Sequence, residues 1–433
     1  MMSLIIVAAI ALAIILGYKT RINIGLFAIV FAYLIGCFGL GLSPNAVIKM
    51  WPLKIFFIIF SVCLFYGFAI TNGTLERMSE HLLYRFRRWP YLLPYVVFIT
   101  TTFIAGLGAG YYTVLAFMAP LTLLLCQRTG MSMIIGAMAV NYGALSGANF
   151  MSSQSGIIFR SLMGAAGIDE STAFINSIGI FIATLVIPVL VLTFLVFFTG
   201  HRRSMATQAL EVAKPQPFNT HQRQTLWLTL VMMVLVLLIP IAHLLWPGSE
   251  LVTLVNSKLN IGFIASIFAV IALLLKLGDE RQVIASLPWG TLIMICGVGM
   301  LIAVAIKAGT INLLGSWIGQ TIPAFWVPLA FGVVAACMSL FASTLGVVTP
   351  ALFPLVPAIA SHLSLDPMIL FICIVTGAQA TSISPFSSGG SLLLGACPDE
   401  QKRHSLFSQL LLRAAPLGFI AALVFNLVFA FIY

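Results

Sequence analysis

The residues best placed to do chemistry in this chain are neutral. From Gly143 to Gly156, GALSGANFMSSQSG sets Ser146, Asn149, Ser152, Ser153 and Gln154 among glycines, inside a run otherwise apolar enough for lipid. From Gly377 to Gly390, GAQATSISPFSSGG does the same with Thr381, Ser382, Ser384, Ser387 and Ser388. An offset of 234 residues aligns the end glycines, the alanine after the first glycine, and Ser153 with Ser387. Where a membrane helix unwinds, its carbonyls are free to coordinate a cation such as sodium. The N–H groups that open the next half-helix attract an anion. With hydroxyls and amides as neutral partners, this set suits a small carboxylate. Small hydroxylated residues also occur at plain helix contacts, where they permit close approach; the matched spacing of the two stretches argues for a site.

Two further stretches, Gly106 to Thr113 and Phe341 to Thr349, combine glycines with Thr113, Ser343, Thr344 and Thr349 in the middle of long apolar runs. Irregular backbone at membrane depth must be shielded by protein or line a cavity, so these read as hairpin tips. Tyr111 and Tyr112 either cover a substrate there or pack and anchor the tip.

All eleven carboxylates, among them Glu76, Asp169, Glu170, Glu250, Asp279 and Asp366, fall away from the middle of any expected span. A titrating carboxylate relay is therefore not expected, leaving sodium held by neutral oxygens, or a proton carried on the substrate. Lys307 and Arg160 sit near span ends, where long side chains reach the interface. The six histidines and seven cysteines show no metal-ligand spacing. With no nucleophile and base converging in the membrane, an enzyme is not expected, nor any cofactor. A channel is a third class, separable by its far larger currents.

Elements that could hold these stretches follow from composition. The chain of 433 residues is 61% hydrophobic and 7% charged, against about 25% charged in soluble domains. It reads as an all-α polytopic membrane protein with a retained first helix. The net charge of +10 is explained by basic residues in short connections, which fix orientation, rather than by a nucleic-acid partner.

The first repeat is expected over 1–200: scaffold helices in 1–72, a surface amphipathic helix at 74–89, a re-entrant hairpin at 91–128, a broken helix at 131–163 and a helix at 174–199. A cytoplasmic linker fills 201–224. The second repeat, 225–433, follows the same order: scaffold helices 225–308, surface helix 310–320, hairpin 325–361, broken helix 366–397 and a last helix at 413–433. Pro120 and Pro354, in the second legs of the hairpins, are again 234 residues apart. Lys19 and Arg21 follow the first span of one half, whereas Arg223 precedes the first span of the other. The repeat is therefore expected to be inverted, with both termini outside. Lys276, Arg281, Lys402, Arg403 and Arg413 agree with that side; Lys49, Lys54, Arg160, Lys258 and Lys307 do not.

This order resembles the ion transporter superfamily, in particular the divalent anion/sodium symporters, over nearly the whole chain. GYKTRINIGLFAIVFAYLIG near the start and SPFSSGG at Ser384 to Gly390 look like the bacterial malonate and dicarboxylate carrier branch. The resemblance implies a sodium-coupled carrier of a di- or tricarboxylate such as malonate or succinate, in a bacterial inner (plasma) membrane. It also implies a homodimeric scaffold and a transport domain that moves as an elevator. Family symporters hold substrate carboxylates with a Ser-Asn-Thr triplet at each hairpin tip, ten residues before a proline. Here those positions are Gly110, Tyr111 and Tyr112, then Thr344, Leu345 and Gly346, so only Thr344 keeps a hydroxyl.

Substrate contacts implied at the tips are Gly110, Tyr111, Tyr112, Thr113, Ser343 and Thr344. Those implied at the breaks are Ser146, Asn149, Ser153, Thr381, Ser382, Ser387 and Ser388. The sodium loops fall on Ser146, Gly147, Ala148 and Asn149, and on Thr381, Ser382, Ser384 and Pro385. A proton-coupled or exporting carrier of another anion is the alternative.

Overall fold

The computed structural model describes residues 2–85, 92–198, 214–246, 248–340, 342–397 and 400–432. The far end of the first surface helix, most of the linker (201–213) and Phe341 of the second tip lie outside these residues. The described residues are helical and contain no strand. Six helices are long and apolar enough to cross a membrane: Leu53–Thr71, Glu170–Phe197, Thr220–His243, Trp289–Lys307, Thr344–Leu363 and Gln401–Phe431. Shorter apolar helices accompany them, and with large apolar side chains such as Leu190, Trp227, Phe263 and Ile420 exposed, the chain is an integral membrane protein.

Scaffold helices of the two halves exchange partners. Ile24–Tyr33 lies along Trp289–Lys307 so closely that a Cβ on Gly25 would fall 2.4 Å from the Ile293 carbonyl oxygen, and one on Gly297 only 2.2 Å from that of Gly25. Leu53–Thr71 lies along Ile261–Leu274, with Phe57 on Phe263 (ring centroids 4.8 Å apart) and Phe65 on Phe268 (5.7 Å). Each pair runs parallel. Phe60 lies against Trp289 (ring centroids 6.2 Å apart, tilted), while Pro52 lies beside Gly299, so the two pairs run antiparallel to each other. Lys49, Lys54, Lys258 and Lys307 consequently gather at one end of the molecule, and Lys19, Arg21, Arg223, Lys276 and Arg281 at the other. Asn72 ties that second end together, donating to Thr225 Oγ1 (2.7 Å) and to the Leu277 carbonyl (3.1 Å).

Each hairpin packs its first leg on the first half of its own broken helix. Gly143 meets Phe98, and Gly377 meets Gly332; both pairs keep the 234-residue offset, so the sequence repeat is also a repeat of contacts. The second legs differ. Tyr111–Thr129 is one helix with Pro120 inside it. Pro350, Pro354 and Pro357 each remove a backbone donor, dividing 344–363 into a π turn, a short α segment, a 3-10 turn and Val356–Leu363.

Several boundaries depart from expectation. Thr220–Leu245 starts inside the expected linker, because Asn219 and Gln222 form a reciprocal capping box. The last helix starts at Glu400 and runs through a π turn at Leu410–Ala414 to Ile432. Short helices at Pro44–Ile48, Glu250–Lys258 and Glu280–Ala285 carry no long apolar run to announce them. The surface helices Thr74–Arg85 and Thr310–Thr321 are both present; the first buries Leu75 and Met78, and the second leaves Leu313 and Trp317 exposed.

Candidate functional site

Both polar stretches are helix breaks. Met133–Ala148 ends at Asn149, and the chain resumes as Gln154–Ala165 with Ser153 as N-cap. Pro367–Ala380 ends at Thr381 and resumes as Ser388–Gly395, where Ser387 caps by accepting from Gly390 N at 3.2 Å. The breaks meet through a reciprocal amide pair: Asn149 Nδ2 donates to Gln379 Oε1, and Gln379 Nε2 to Asn149 Oδ1, each at 3.0 Å. Asn149 Nδ2 also lies 3.0 Å from Thr184 Oγ1.

The hairpin tips close over the breaks. Gly110 turns the first tip at φ 75°, a left-handed conformation that disfavours any Cβ; one there would also fall 2.0 Å from Gln154 Oε1. Tyr111 is buried and donates to Asn141 Oδ1 (2.6 Å), whose amide nitrogen is 3.4 Å from Ser382 Oγ. Tyr112 reaches across to the other half, with its hydroxyl 3.3 Å from Ser343 Oγ. Thr344 Oγ1 is 3.1 Å from Ser339 Oγ. Ser153 donates to the Ala105 carbonyl (2.6 Å) and Thr381 to that of Ala336 (2.8 Å), so each break is bonded to the first leg of its hairpin.

Between tips and breaks lies a small cavity of about 20 Å³, room for about one water molecule. Of the expected substrate residues, Tyr111, Tyr112, Ser343, Thr344, Ser382, Ser387 and Ser388 line it. Gly110, Thr113, Ser146, Asn149, Ser153 and Thr381 do not: the bonds of Asn149, Ser153 and Thr381 hold the breaks in shape, and Ser146 Oγ lies 2.7 Å from the Tyr142 carbonyl oxygen and 2.5 Å from that of Thr184. Among the expected sodium residues, Gly147 packs on the Thr102 carbonyl, and Ala148, Ser384 and Pro385 are buried. Two buried hydroxyls, Ser152 Oγ in the first break and Thr102 Oγ1 in the first leg of its hairpin, have no hydrogen-bond partner.

Sequence reading missed Asn141, Gln379, Ser155 and Ser339, which line the cavity or bond to its walls. For Asn141 and Gln379 the signal was present, since an amide inside an apolar run is costly unless it has a partner or a task. Arg160 folds over the Phe174 ring (5.0 Å) and pairs with Glu170, an exposed residue that opens the next helix.

Residues 1–148 match the family described as the dicarboxylate carrier protein MatC N-terminus. The match coincides with the carrier branch that the opening stretch resembles. No curated protein matches the chain. Among solved structures, the chain is similar to the YdaH transporter of Alcanivorax borkumensis, whose crystal structure reveals an unusual topology. Sequence identity is 17%, the TM-score is 0.58, and the alignment covers 90% of this chain and 87% of that one; at that identity the likeness is one of fold.

Proposed function

We propose that the chain is a secondary transporter of a small dicarboxylate, of malonate or succinate size, coupled to sodium. One observation carries the reading: two helix breaks and two hairpin tips, drawn from both halves of an apolar protein, converge on one small cavity walled by hydroxyls and the Gln379 amide. Such broken-helix sites are where secondary transporters bind substrate and ion. Ser387 and Ser388 open a half-helix toward the cavity, supplying N–H groups and partial positive charge for a carboxylate. The matched family of residues 1–148 supports the substrate class.

Sodium is supported by the donor set. A hard cation prefers oxygen ligands, and the first break offers carbonyls and the unpartnered Ser152 hydroxyl, while the hairpin leg packed on Gly147 carries the unpartnered Thr102 hydroxyl. No carboxylate among the described residues is buried, which disfavours a proton relay. The cavity is too small for a four-carbon acid, so tips and breaks must separate to admit one. Elevator movement of the hairpins and broken helices against a dimeric scaffold accounts for that, and the antiparallel scaffold pairs fit an inverted repeat in the inner membrane with both termini outside.

Uptake of labelled malonate and succinate into proteoliposomes tests the reading. Accumulation is expected only with an inward sodium gradient. Equal accumulation without sodium removes the coupling, and no accumulation of any dicarboxylate under sodium or pH gradients removes the transport function.

A further inference from the structure

Two clefts outside the central cavity are built from matching pieces of the chain. The first, about 520 Å³, is lined by Arg21 and Asn23, Gly290 and Met294, and Ser391. The second, about 340 Å³, is lined by Lys258 and Asn260, Lys54 and Ile58, and Ile157. Arg21-Ile22-Asn23-Ile24-Gly25 corresponds to Lys258-Leu259-Asn260-Ile261-Gly262, a cation two residues before an asparagine that caps a scaffold helix. Asn23 accepts from Gly25 N and Asn260 from Gly262 N, both at 2.9 Å. Gly290 and Met294 stand 236 residues after Lys54 and Ile58, and Ser391 stands 234 after Ile157.

The clefts open at opposite ends of the antiparallel scaffold pairs. The 19 residues of Leu53–Thr71 set those ends about 28 Å apart, at 1.5 Å per residue. Each cleft lies between the scaffold and the second half of a broken helix. Tyr112, Ser387 and Ser388 line both the first cleft and the central cavity. The second cleft stops at Ile157, two residues beyond Ser155, which lines the cavity. Net charge is positive in both: among the described residues Arg21 is the only charged side chain lining the first cleft, and in the second Lys54 and Lys258 accompany the Arg160–Glu170 pair. Three of the five basic residues that defy the charge-side rule are thereby placed in one cavity wall.

We propose that these clefts are the two mouths of one transport path, and that Arg21 at one mouth and Lys258 at the other are equivalent capture residues for a small organic dianion. The inference rests on the transport reading for its ligand. A cleft of net positive charge between low-dielectric walls concentrates anions and raises their rate of encounter. Repetition of a cation at the same structural position of each half serves loading from both sides of the membrane.

The test separates the clefts from transport. Full-length protein in liposomes, carrying Ser391→Cys or, in the wall of the second cleft, Ser161→Cys, is treated with membrane-impermeant methanethiosulfonate reagents bearing either a sulfonate or a quaternary ammonium. Parent protein gives the background from its own seven cysteines. The anionic reagent should react about threefold faster or more at both positions, which should be reached from opposite faces. Arg21→Gln should abolish the preference at Ser391→Cys alone, and Lys258→Gln should weaken it at Ser161→Cys alone, while Arg21→Lys and Lys258→Arg retain it. In uptake, Arg21→Gln should raise KM about fivefold from its own face, with KM from the other face unchanged. Preferences indifferent to both neutralised cations, or labelling of both positions from one face, overturns the proposal even in a protein that transports dicarboxylate; absent uptake with charge-selective labelling from opposite faces leaves the anion-attracting clefts standing and removes only the transport reading.

Discussion

The amide pair between the breaks allows the sharpest mutational test. Asn149 and Gln379 are both buried and exchange two neutral hydrogen bonds at 3.0 Å. Such bonds contribute about 1 kcal/mol each net of water, and a buried amide left without its partner costs about 1–3 kcal/mol in lost solvation. Asn149→Ala removes both bonds and orphans Gln379; Gln379→Ala does the converse. Each single variant should therefore lose about 2–4 kcal/mol. The double variant should lose little more than either, because the second truncation removes a group already orphaned, giving a coupling of about 2 kcal/mol. Thr184 Oγ1, 3.0 Å from Asn149 Nδ2, makes Asn149→Ala the more damaging of the two. Denaturation of the purified protein in detergent, with sodium and ligand absent, measures all four corners of the cycle. Additivity within about 0.5 kcal/mol would show that the breaks are not held together through these amides. Loss of uptake in Asn149→Ala should then be read with this destabilisation in mind.

Ser382 lines the cavity and donates to the Gln379 carbonyl at 2.6 Å; Ser382→Ala should raise KM for dicarboxylate about tenfold, the loss of one hydrogen bond of about 1.4 kcal/mol, with normal elution on gel filtration, and an unchanged KM places the substrate elsewhere. At Gly389 a Cβ would fall 1.9 Å from the Tyr111 hydroxyl and 2.8 Å from the Ser382 carbonyl, whereas at Gly164 it meets nothing within 4 Å. Gly389→Ala should therefore abolish uptake while Gly164→Ala leaves it intact, and retention of uptake by the first contradicts the tip-to-break packing. Tyr112→Phe keeps the ring contact with Tyr111 (4.8 Å) and loses only the hydroxyl partner Ser343, so uptake at saturating substrate should change less than about threefold, a bond worth under 1 kcal/mol; a larger fall would mean that the hydroxyl serves transport directly. The Asp169 carboxyl, in the exposed loop before Glu170–Phe198, is held below the ordinary carboxylate range by Thr172, through its side chain first and its backbone N–H second. A depressed pKa confers stability that is full above the unfolded value of about 3.9 and is lost as pH falls through the folded value. The Asp169 contribution to folded stability should thus be constant from about pH 6 to 8, and a fall in stability across that range on unfolding in detergent that Asp169→Asn removes would contradict the assignment.

Much of this molecule can be read from local pattern. Apolar runs and the basic residues between them are one-dimensional properties, so the spans, the surface helices at Thr74 and Thr310 and the two breaks follow from composition and spacing alone. The offset linking Gly143 to Gly377 is equally visible, because close packing of a hairpin leg on its broken helix demands a glycine at that point in each half. What folding decided is which polar groups face one another. Asn149 and Gln379 lie far apart in the chain, and nothing local distinguishes an asparagine that grips the opposite break from one that faces a substrate. Tyr111 and Tyr112 are neighbours in sequence, yet a helical turn sends one inward to Asn141 and the other across to Ser343. The partnership of Lys54, Arg160 and Lys258 in one cleft exists only because Leu53–Thr71 and Ile261–Leu274 run parallel, bringing together the starts of helices from different halves. Sequence determined where this backbone must break and which chemistry it carries there; only tertiary structure determined the pairing, since hydrogen bonds and charge act through space over a few ångströms, whatever the distance along the chain.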